Sequence, residues 1–506
     1  MNGDPDAIVI GSGPNGLVAA CVLAKAGLKT LVLEANPDRP GGAVGSVQST
    51  RPGFVHDVGA AFFPWGTLSP AFRELDLPQH GLKWCGAEFE SCHPAPDGTF
   101  ACISRDHEVS AKNFGNARDG DAWRRIAKWY GTIEPHLLPM LMETFPAVRP
   151  MLRLLPLNLL KVASVFLSRG RGLAKRWFES EAARRVLPGL ALHVDVGPDD
   201  WFGAALGFML GMTATTGGYV VPEGGAQSIA DALVRVLEAH GGELRLGARV
   251  DEIVVRKGRA SAVRLADGQE IEAKRAVLAN TDVGALWLHL LKREHVPGRL
   301  VSFAQRYPRG WGAFKMDWAL REPVPWAVDE ARRSAVVHAG DSLDDLSQFT
   351  AQVRRGELPD NPYLVLGQQS LADPTRAPDG HHTLWTYSRV PPQLPDGGWA
   401  AHAEAFADRV EERIEGLAPG FRETIIDRAV VAPPDLESMD ANLVGGDLGG
   451  GSNAWNRQLL FRPAFPYFRY RMPVDRLYLC SSYAHPGAGV HGMCGYNAAR
   501  IALQDV

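Results

Sequence analysis

Cysteine is scarce in this chain of 506 residues, which has six, at positions 21, 85, 92, 102, 480 and 494. No two of them form a Cys-x-x-Cys pair, and no histidine pair stands beside them at the spacing of zinc ligands. We therefore expect neither a redox-active dithiol nor a metal site. So long a chain needs no disulfide to stabilise its core, and sparse cysteine indicates a reducing compartment. Since the amino terminus also has no basic segment with a cleavage site, we expect a cytoplasmic protein.

Positive charge is not in excess, because 53 Lys and Arg residues stand against 57 Asp and Glu residues. This balance, with no basic patch interleaved with aromatics, argues against a nucleic-acid partner. A Gly-x-Ser-x-Gly nucleophile elbow is also absent, which disfavours a hydrolase. Apolar residues make up 45% and charged residues 22% of the chain, a composition typical of folded globular proteins.

Uncharged apolar runs long enough to cross a bilayer are few, and residues 201–222 form the one that needs attention. Five glycines, three threonines and a terminal proline in this run favour a buried helix that leads into a glycine-rich loop. Residues 151–178 are different, because they mix apolar residues with six Lys and Arg residues. Such a stretch is typical either of helices with a solvated basic face, which we favour, or of peripheral contact with an anionic membrane.

The amino-terminal segment has the pattern of a strand–helix–strand unit, with strands at 6–10 and 30–34 and a helix at 15–26. Between the first strand and the helix stands Gly11-Ser12-Gly13-Pro14-Asn15-Gly16. In this pattern Gly11 permits a tight turn, Gly13 lets the backbone approach a pyrophosphate, and Gly16 lets helix and strand pack closely. Glu34 ends the second strand, where a carboxylate accepts hydrogen bonds from a ribose diol and repels the 2′-phosphate of NADP.

Further motifs resemble those of the amine oxidase and phytoene desaturase superfamily of flavoproteins. Arg39-Pro40-Gly41-Gly42 resembles its second glycine motif, and residues 477–499, with His485-Pro486-Gly487-Ala488-Gly489-Val490 and Gly492, resemble its carboxy-terminal flavin motif. Pro222-Glu223-Gly224-Gly225 and Val250 match the middle of the pattern, so the resemblance spans the whole chain. The glycines at 487, 489, 492 and 495 would leave the backbone bare beside a flat ring system, with a helix beginning near Gly495.

This resemblance implies a non-covalently bound FAD. Together with the glycine loop, it gives the following expected cofactor-binding residues: Gly11, Gly13, Pro14, Asn15, Gly16, Glu34, Ala35, Arg39, Gly41, Gly42, Asp57, Gly59, Val250, Asn280, Ser482, Gly489 and Val490.

The expected fold class is α/β, with a discontinuous Rossmann-like FAD-binding domain and an inserted α+β substrate-binding domain. We assign residues 1–84, 216–300 and 440–506 to the FAD-binding domain. Residues 85–215 and 301–439 are assigned to the substrate-binding domain.

The candidate catalytic residues are Lys315, Asp317 and His485. Residues 312–320 alternate like a strand, which places Lys315 and Asp317 on one face. The two residues form either a structural salt bridge or part of the active site, because the amine oxidases that the chain resembles place a lysine near the flavin N5 through a water. His485 is interpreted either as a proton shuttle or as a hydrogen-bonded spacer.

The resemblance implies an FAD-dependent oxidoreductase, and by analogy with the family we expect a dehydrogenase or desaturase that removes hydride from a small hydrophobic, isoprenoid- or polyene-like substrate. Oxygen or a quinone would reoxidise the flavin. Oxidation of an amine is the second hypothesis, motivated by Lys315. A non-redox flavin-dependent isomerase is the third.

Overall fold

The computed structural model describes residues 3–154 and 156–505, and its first sheet has five parallel strands. In spatial order these are Leu477–Leu479, Ala276–Ala279, Ala7–Ile10, Thr30–Leu33 and Glu243–Arg245. The strands are short and the central ones are wholly buried, as expected for a parallel sheet covered on both faces. The predicted strand–helix–strand unit is confirmed, with its helix at Pro14–Lys25.

The two ends of the chain meet on this sheet. The last helix, Met493–Asp505, packs across the first helix, Pro14–Lys25. A Cβ atom on Gly495 would lie 1.7 Å from the carbonyl oxygen of Asn15, so only glycine permits this crossing. The expected helix near Gly495 is confirmed, starting at Met493, but the expectation that Gly495 faces a ring system was wrong, because this glycine is a helix-packing position.

A second, seven-stranded mixed sheet carries Lys315. Its strands in spatial order are Ile425–Val431, Gly312–Leu320, His382–Val390, Leu364–Gly367, Ser334–Ala339, Phe89–Cys92 and Cys102–Ile103. Neighbouring strands are antiparallel except for Ser334–Ala339 with Phe89–Cys92. One face packs against the helix Gly398–Leu417, and the opposite face packs against helices between residues 117 and 216.

Smaller sheets connect these units. Val250–Arg256, Arg259–Leu265 and Glu270–Glu272 form an antiparallel sheet, and two-stranded pairs join Ser46–Val47 to His56–Asp57 and Trp84–Cys85 to Val221–Pro222. The α-helices associated with the parallel sheet are Pro14–Lys25, Pro70–Glu74, Gln227–Ala239, Gly298–Ala304 and Met493–Asp505. The other α-helices are His107–Lys112, Ala117–Met142, Val148–Arg153, Leu157–Phe166, Gly170–Trp177, Glu181–Arg184, Val186–Ala191, Gly203–Thr216, Asp329–Arg332, Leu343–Arg354, Gln369–Ala372, Gly398–Leu417, Phe421–Thr424 and Pro433–Met439.

The strands of the five-stranded sheet all come from the three segments assigned to the FAD-binding domain, and those of the seven-stranded sheet come from the two insertions. Three of the predicted limits fall within single elements, namely Trp84–Cys85, the last residue of Gly203–Thr216, and Gly298–Ala304, and the exact domain limits stay a prediction.

The uncharged run at 201–222 contains the buried helix Gly203–Thr216, as the sequence predicts. Among the helices of the described residues, none combines the length and the apolar composition that crossing a bilayer requires.

Candidate functional site

The carboxyl ends of the parallel strands form one edge of the first sheet. Gly11 follows Ala7–Ile10, Asn280 follows Ala276–Ala279, and Glu34 follows Thr30–Leu33. The strand that follows Ala7–Ile10 in the chain, Thr30–Leu33, lies on one side of it, whereas Ala276–Ala279 and Leu477–Leu479 lie on the other side, and ligands of open α/β sheets bind where the strand order reverses in this way.

The first glycine loop has the conformation that its sequence predicts. Gly11 has a φ of +90°, which favours glycine, and a Cβ on Gly16 would lie 2.2 Å from the carbonyl oxygen of Gly11. Pro14 begins the first helix directly after Gly13. The side-chain oxygen of Asn15 is buried and has no hydrogen-bond partner among the described residues. The loop therefore combines a helix amino terminus with a buried acceptor that no described residue satisfies.

Asn280 closes this loop from the neighbouring strand. Its Nδ2 donates a hydrogen bond to the carbonyl oxygen of Gly11 at 3.4 Å. A Cβ on Gly13 would lie 2.8 Å from the same Nδ2, so the amide side chain explains the need for glycine there. Asn442 donates in turn to the carbonyl oxygen of Asn280 at 3.5 Å.

Glu34 organises the region where the sequence predicts a ribose. One carboxylate oxygen accepts hydrogen bonds from the amide and hydroxyl of Ser12 at 2.7 and 2.5 Å. The other accepts from the amide of Asn36 at 2.8 Å, across the turn that contains Ala35. The backbone oxygen of Glu34 accepts from the amide of Ala248, which brings the following strand, with Val250 at its start, beside it.

The second glycine motif lies directly against the first. The amide of Gly41 donates to the backbone oxygen of Ser12 at 3.1 Å, and Gly41 and Gly42 have φ values of +109° and +55°. The Arg39 guanidinium donates to the carbonyl oxygen of Gly42 at 3.0 Å. Burial lowers the pKa of Arg39, and the nearby carboxylates oppose this effect.

Asp440 is a member of this cluster that sequence reasoning missed. A Cβ built on Gly42 would lie 2.9 Å from Oδ2 of Asp440 and 3.5 Å from the Cα of Gly13. Burial raises the pKa of Asp440, the negative charge of Glu34 adds to the rise, and the amide of Asn442 opposes it. A carboxyl group therefore borders the glycines expected to hold a pyrophosphate.

Asp57 and Gly59 lie at the end of the short hairpin formed by Ser46–Val47 and His56–Asp57, where it meets the rest of the site. Asp57 accepts hydrogen bonds from the amide of Ala226 at 2.8 Å and from the Ser46 hydroxyl at 2.9 Å. A Cβ on Gly59 would lie 2.7 Å from the carbonyl oxygen of Ala43. Asp57 thus holds the loop after Gly224-Gly225 against the hairpin.

A fully buried arginine completes this arrangement, and no motif identifies it. Arg376 pairs with Asp57 at 2.8 Å and with Asp373 at 2.9 Å, and it donates to the carbonyl oxygen of Pro222 at 3.0 Å. Asp373 accepts from the amide of Gly224 at 2.7 Å. Burial lowers the pKa of Arg376, but the two carboxylates outweigh it and the net shift is upward.

The carboxy-terminal loop is held by Arg462, another buried arginine that sequence reasoning missed. Its guanidinium donates to the backbone oxygens of Ser482, Gly449 and Gly450 at 2.8–3.1 Å. Gly489 is exposed on this loop, and Val490 packs against the core of the parallel sheet. The buried Nε2 of His491 has no partner among the described residues, so this histidine is a further candidate beside the loop.

His485 takes the geometry of a spacer. Its Nε2 lies 3.1 Å from the carbonyl oxygen of Glu143, and its own backbone oxygen accepts from the Tyr470 hydroxyl at 2.8 Å. Burial lowers the pKa of His485 to about 4, with the Glu143 carbonyl opposing the shift. The ring is therefore neutral at pH 7 and uses its proton in a hydrogen bond to the backbone.

Lys315 and Asp317 form a buried ion pair on one face of the seven-stranded sheet, with Nζ and Oδ2 2.5 Å apart. The Ser49 hydroxyl also donates to Oδ2 at 2.8 Å. The Nδ1 of His56 lies 3.8 Å from the other oxygen of Asp317, and neither atom has a hydrogen-bond partner among the described residues. Burial lowers the pKa of His56, and the charge of Asp317 opposes this effect. His56, which the sequence analysis missed, thus joins the pair.

A polar row continues from Lys315 across the same sheet face. Lys315 is opposite Tyr387, and His338 lies on the same face two strands further on, beyond the apolar Val365. The Nε2 atoms of His338 and His193 lie 2.9 Å apart, and the His93 ring stacks on that of His338 at 4.5 Å. Burial raises the pKa of Tyr387 to about 12 and lowers that of His193 to about 3. These groups are neutral at pH 7, so the row adds polarity without charge.

The residues fit the FAD that the motifs imply. The glycine loop leads directly into the first helix, the buried Oδ1 of Asn15 has no partner among the described residues, and Glu34 lies at the neighbouring strand end. The resemblance implies that the carboxy-terminal loop and the strand bearing Lys315 also face the flavin, and this placement stays a prediction.

Comparison with known proteins agrees with this geometry. Residues 15–501 match the family model described as flavin containing amine oxidoreductase. The chain is 28% identical to pyridine nucleotide-disulfide oxidoreductase domain-containing protein 2 of Rattus norvegicus, over 99% of this chain and 94% of that protein. It is 29% identical to a neurosporene-forming phytoene desaturase of Rhodobacter capsulatus, over 97% and 92% of the two chains.

Among solved structures, putrescine oxidase bound to putrescine has the same fold, with a TM-score of 0.62 and 17% identity over 99% of this chain and 98% of that chain. The predicted α/β fold class with a Rossmann-like FAD-binding domain is confirmed, and so is the resemblance on which it was based. The chain is an FAD-dependent oxidoreductase and belongs to the flavin containing amine oxidoreductase family.

Proposed function

We propose that this enzyme binds FAD non-covalently and dehydrogenates a hydrophobic, isoprenoid- or polyene-like substrate. When bound, FAD supplies the acceptor for the two electrons that leave the substrate. Names of full-length relatives, such as the phytoene desaturases, support the substrate class.

Non-covalent binding is supported by the state of Cys480 and Cys494, which lie at the two ends of the carboxy-terminal loop, because both are buried and burial raises the pKa of both thiols. Cys494 is buried and its thiol lies 3.4 Å from the backbone oxygen of Ala484. Burial raises its pKa to about 11, so it stays a thiol at neutral pH and is a poor nucleophile toward a flavin. Acid denaturation of the purified protein should release intact FAD into the supernatant, whereas a flavin that stays with the precipitate would contradict the proposal.

The observation that carries the hydrophobic substrate class is the neutralised charge at Asp317. An ammonium substrate needs a free carboxylate or an aromatic cage, but Asp317 is already paired with Lys315 and bonded to Ser49. The surrounding sheet face adds Trp385 and other buried apolar side chains, and its polar groups, such as Tyr387, carry no charge at pH 7. An uncharged apolar molecule matches this surface better than a cation.

Within this function we assign Lys315 the handling of a proton and Asp317 the positioning of its amine. Lys315 lies on a rigid central strand, flanked on both sides by hydrogen-bonded neighbours. Replacement of a positioned proton-transfer group slows turnover by about 100-fold or more. We therefore expect Lys315→Met to keep its flavin but lose turnover to that extent. Lys315→Arg controls for loss of the positive charge, and unchanged turnover in Lys315→Met would make the lysine purely structural.

Amine oxidation is the second candidate, favoured by the buried strand lysine and by the fold shared with putrescine oxidase. Anaerobic mixing with a panel of polyenes and a panel of amines separates the two, because only a true substrate bleaches the visible flavin absorbance. We expect bleaching by a polyene. Bleaching by amines alone would overturn the proposed substrate class, and product formation with no net change of the flavin under anaerobic turnover would indicate an isomerase.

We further propose that oxygen or a quinone reoxidises the flavin, and we keep peripheral contact of the basic helices at residues 151–178 with anionic membranes as the alternative to a plain solvated face. The contact is supported by the exposed side chains of Leu152, Leu157, Leu160 and Leu167, which lie beside Lys and Arg residues. Flotation with phosphatidylglycerol vesicles tests the contact, and protein that stays at the bottom of the gradient contradicts it. Stopped-flow reoxidation with oxygen and with a soluble quinone identifies the acceptor.

A further inference from the structure

An open pocket of about 670 Å³ lies between the helices Ala117–Met142, Leu157–Phe166 and Gly170–Trp177. None of the candidate flavin or catalytic residues lines it. Its volume is within the range of roughly 300–1,000 Å³ in which proteins bind small molecules. The pocket is therefore a site separate from the one described above.

The inner wall of the pocket is aromatic and well supported. Trp129 and Trp177 line it, and both rings pack on the fully buried Phe208, at centroid distances of 5.6 and 6.0 Å. The Trp129 indole donates to the side chain of Asn158 at 3.2 Å, which links two of the three helices. Ile126 and other aliphatic side chains complete a surface suited to a hydrocarbon chain.

Three cations line the same pocket without an acidic partner. Arg125, Lys161 and Arg176 are exposed, and none forms a salt bridge with any of the described residues. The neighbouring Arg124 and Arg171 differ, since each pairs with two carboxylates.

The sequence around the pocket keeps this charge unneutralised. Residues 145–178 contain seven Lys and Arg residues and no Asp or Glu. Leu160 lines the pocket with 67% of its surface exposed, and Leu157 nearby is 70% exposed. Exposed leucines beside unpaired cations fit a ligand that has both an anionic and an apolar part.

We propose that this pocket binds a single-chain anionic amphiphile. Its hydrocarbon chain lies against Trp129 and Trp177, and its carboxylate or phosphate head is held by Arg125, Lys161 and Arg176. The proposal does not depend on the substrate or the electron acceptor of the flavin site.

Isothermal titration calorimetry of the full-length, flavin-loaded protein tests this site with laurate and dodecyl phosphate below their micellar concentrations. We expect saturable one-to-one binding of both, and at least tenfold weaker binding of 1-dodecanol, which has the same chain without the charge. Lys161→Glu and Arg176→Glu should each weaken laurate binding by at least tenfold. Lys175→Glu is the matched control, because Lys175 is exposed and unpaired among the described residues on the same helix but does not line the pocket. It should stay within twofold of the unchanged protein.

Equal weakening by Lys175→Glu, or equal binding of 1-dodecanol, would overturn the proposal in favour of non-specific attraction. If a charge-reversal variant does not fold, Lys161→Gln and Arg176→Gln remove the same contacts with a smaller perturbation. Binding to phosphatidylglycerol vesicles without binding of monomeric laurate would also overturn it and would leave only surface contact with the bilayer. A protein that fails to oxidise any polyene but still binds laurate would contradict the proposed function and leave this site intact.

Discussion

Breaking the ion pair between Lys315 and Asp317 should destabilise the protein far more than breaking an exposed pair. Lys315 is 4% exposed and Asp317 is fully buried, with 2.5 Å between the charged atoms. Loss of one partner leaves an uncompensated charge in the interior, which costs about 3–5 kcal/mol. We therefore expect Asp317→Asn, which leaves the ammonium of Lys315 with no carboxylate, to lower the free energy of unfolding by that amount.

The double variant Lys315→Met, Asp317→Asn tests whether the cost comes from the pair itself. With both charges removed, no buried ion remains, so the double variant should lose clearly less than the sum of the single losses. Asp475→Asn is the control, because Asp475 pairs with Arg259 at 3.1 Å and both side chains are more than half exposed. Its loss should stay below about 1 kcal/mol.

Urea denaturation of the flavin-loaded proteins, followed by tryptophan and flavin fluorescence, measures these differences. Coincident transitions by the two probes are required before a single free energy is assigned. The reasoning would be refuted if Asp317→Asn lost no more stability than Asp475→Asn, or if the single losses were simply additive. Either result would mean that solvent or another group neutralises Lys315 in place of Asp317.

Three further predictions concern other parts of the molecule. Gly495→Val should push the first and last helices apart, because its Cβ would lie 1.7 Å from a backbone oxygen, and the protein should lose about 1–3 kcal/mol or more of its free energy of unfolding together with bound flavin. The control is Gly131→Ala, at an exposed helix position where a Cβ would meet no atom within 4 Å, and it should be neutral or stabilising in thermal melts. Asp440→Asn should tighten FAD binding at pH 7–8 in equilibrium dialysis, because it removes negative charge beside Gly42. Since the pKa of Asp440 is raised, the affinity of the unchanged protein for FAD should rise as the pH falls through that pKa, and a variant with the same pH dependence would contradict this. The pKa of His485 is lowered from 6.5 to about 4, so between these pH values the unfolded chain binds a proton that the folded protein does not. The free energy of unfolding should therefore fall by a few kcal/mol from pH 6.5 to pH 4. His485→Gln should show a shallower fall in acid denaturation, and an unchanged slope would exclude this histidine as a cause.

Much of the parallel sheet could be predicted from the sequence because its determinants are local. The strand at 6–10, the glycine loop and the helix after it depend on β-branched runs, turn glycines and helix caps within a few residues of one another. The strand at 312–320 was also predictable, and its alternation placed Lys315 and Asp317 on one face.

The partners of the site residues were not predictable in the same way. Asp440 reaches Gly42 across about 400 residues of chain, and Arg376 reaches Asp57 across 319. Neither residue belongs to a motif, and nothing in the local sequence distinguishes a buried arginine from an exposed one. The motif includes His485, but the backbone oxygen of Glu143 that takes its hydrogen bond comes from a distant helix end.

The sequence by itself determined the nucleotide-binding architecture and the family, because turn, strand and glycine-loop chemistry act over short stretches of chain. Only the tertiary structure decided which charges are neutralised, which are left unpaired and which glycines serve helix packing. These properties depend on burial and on distances between residues far apart in the chain, and Gly495 and the unpaired cations around Trp129 and Trp177 are the clearest cases.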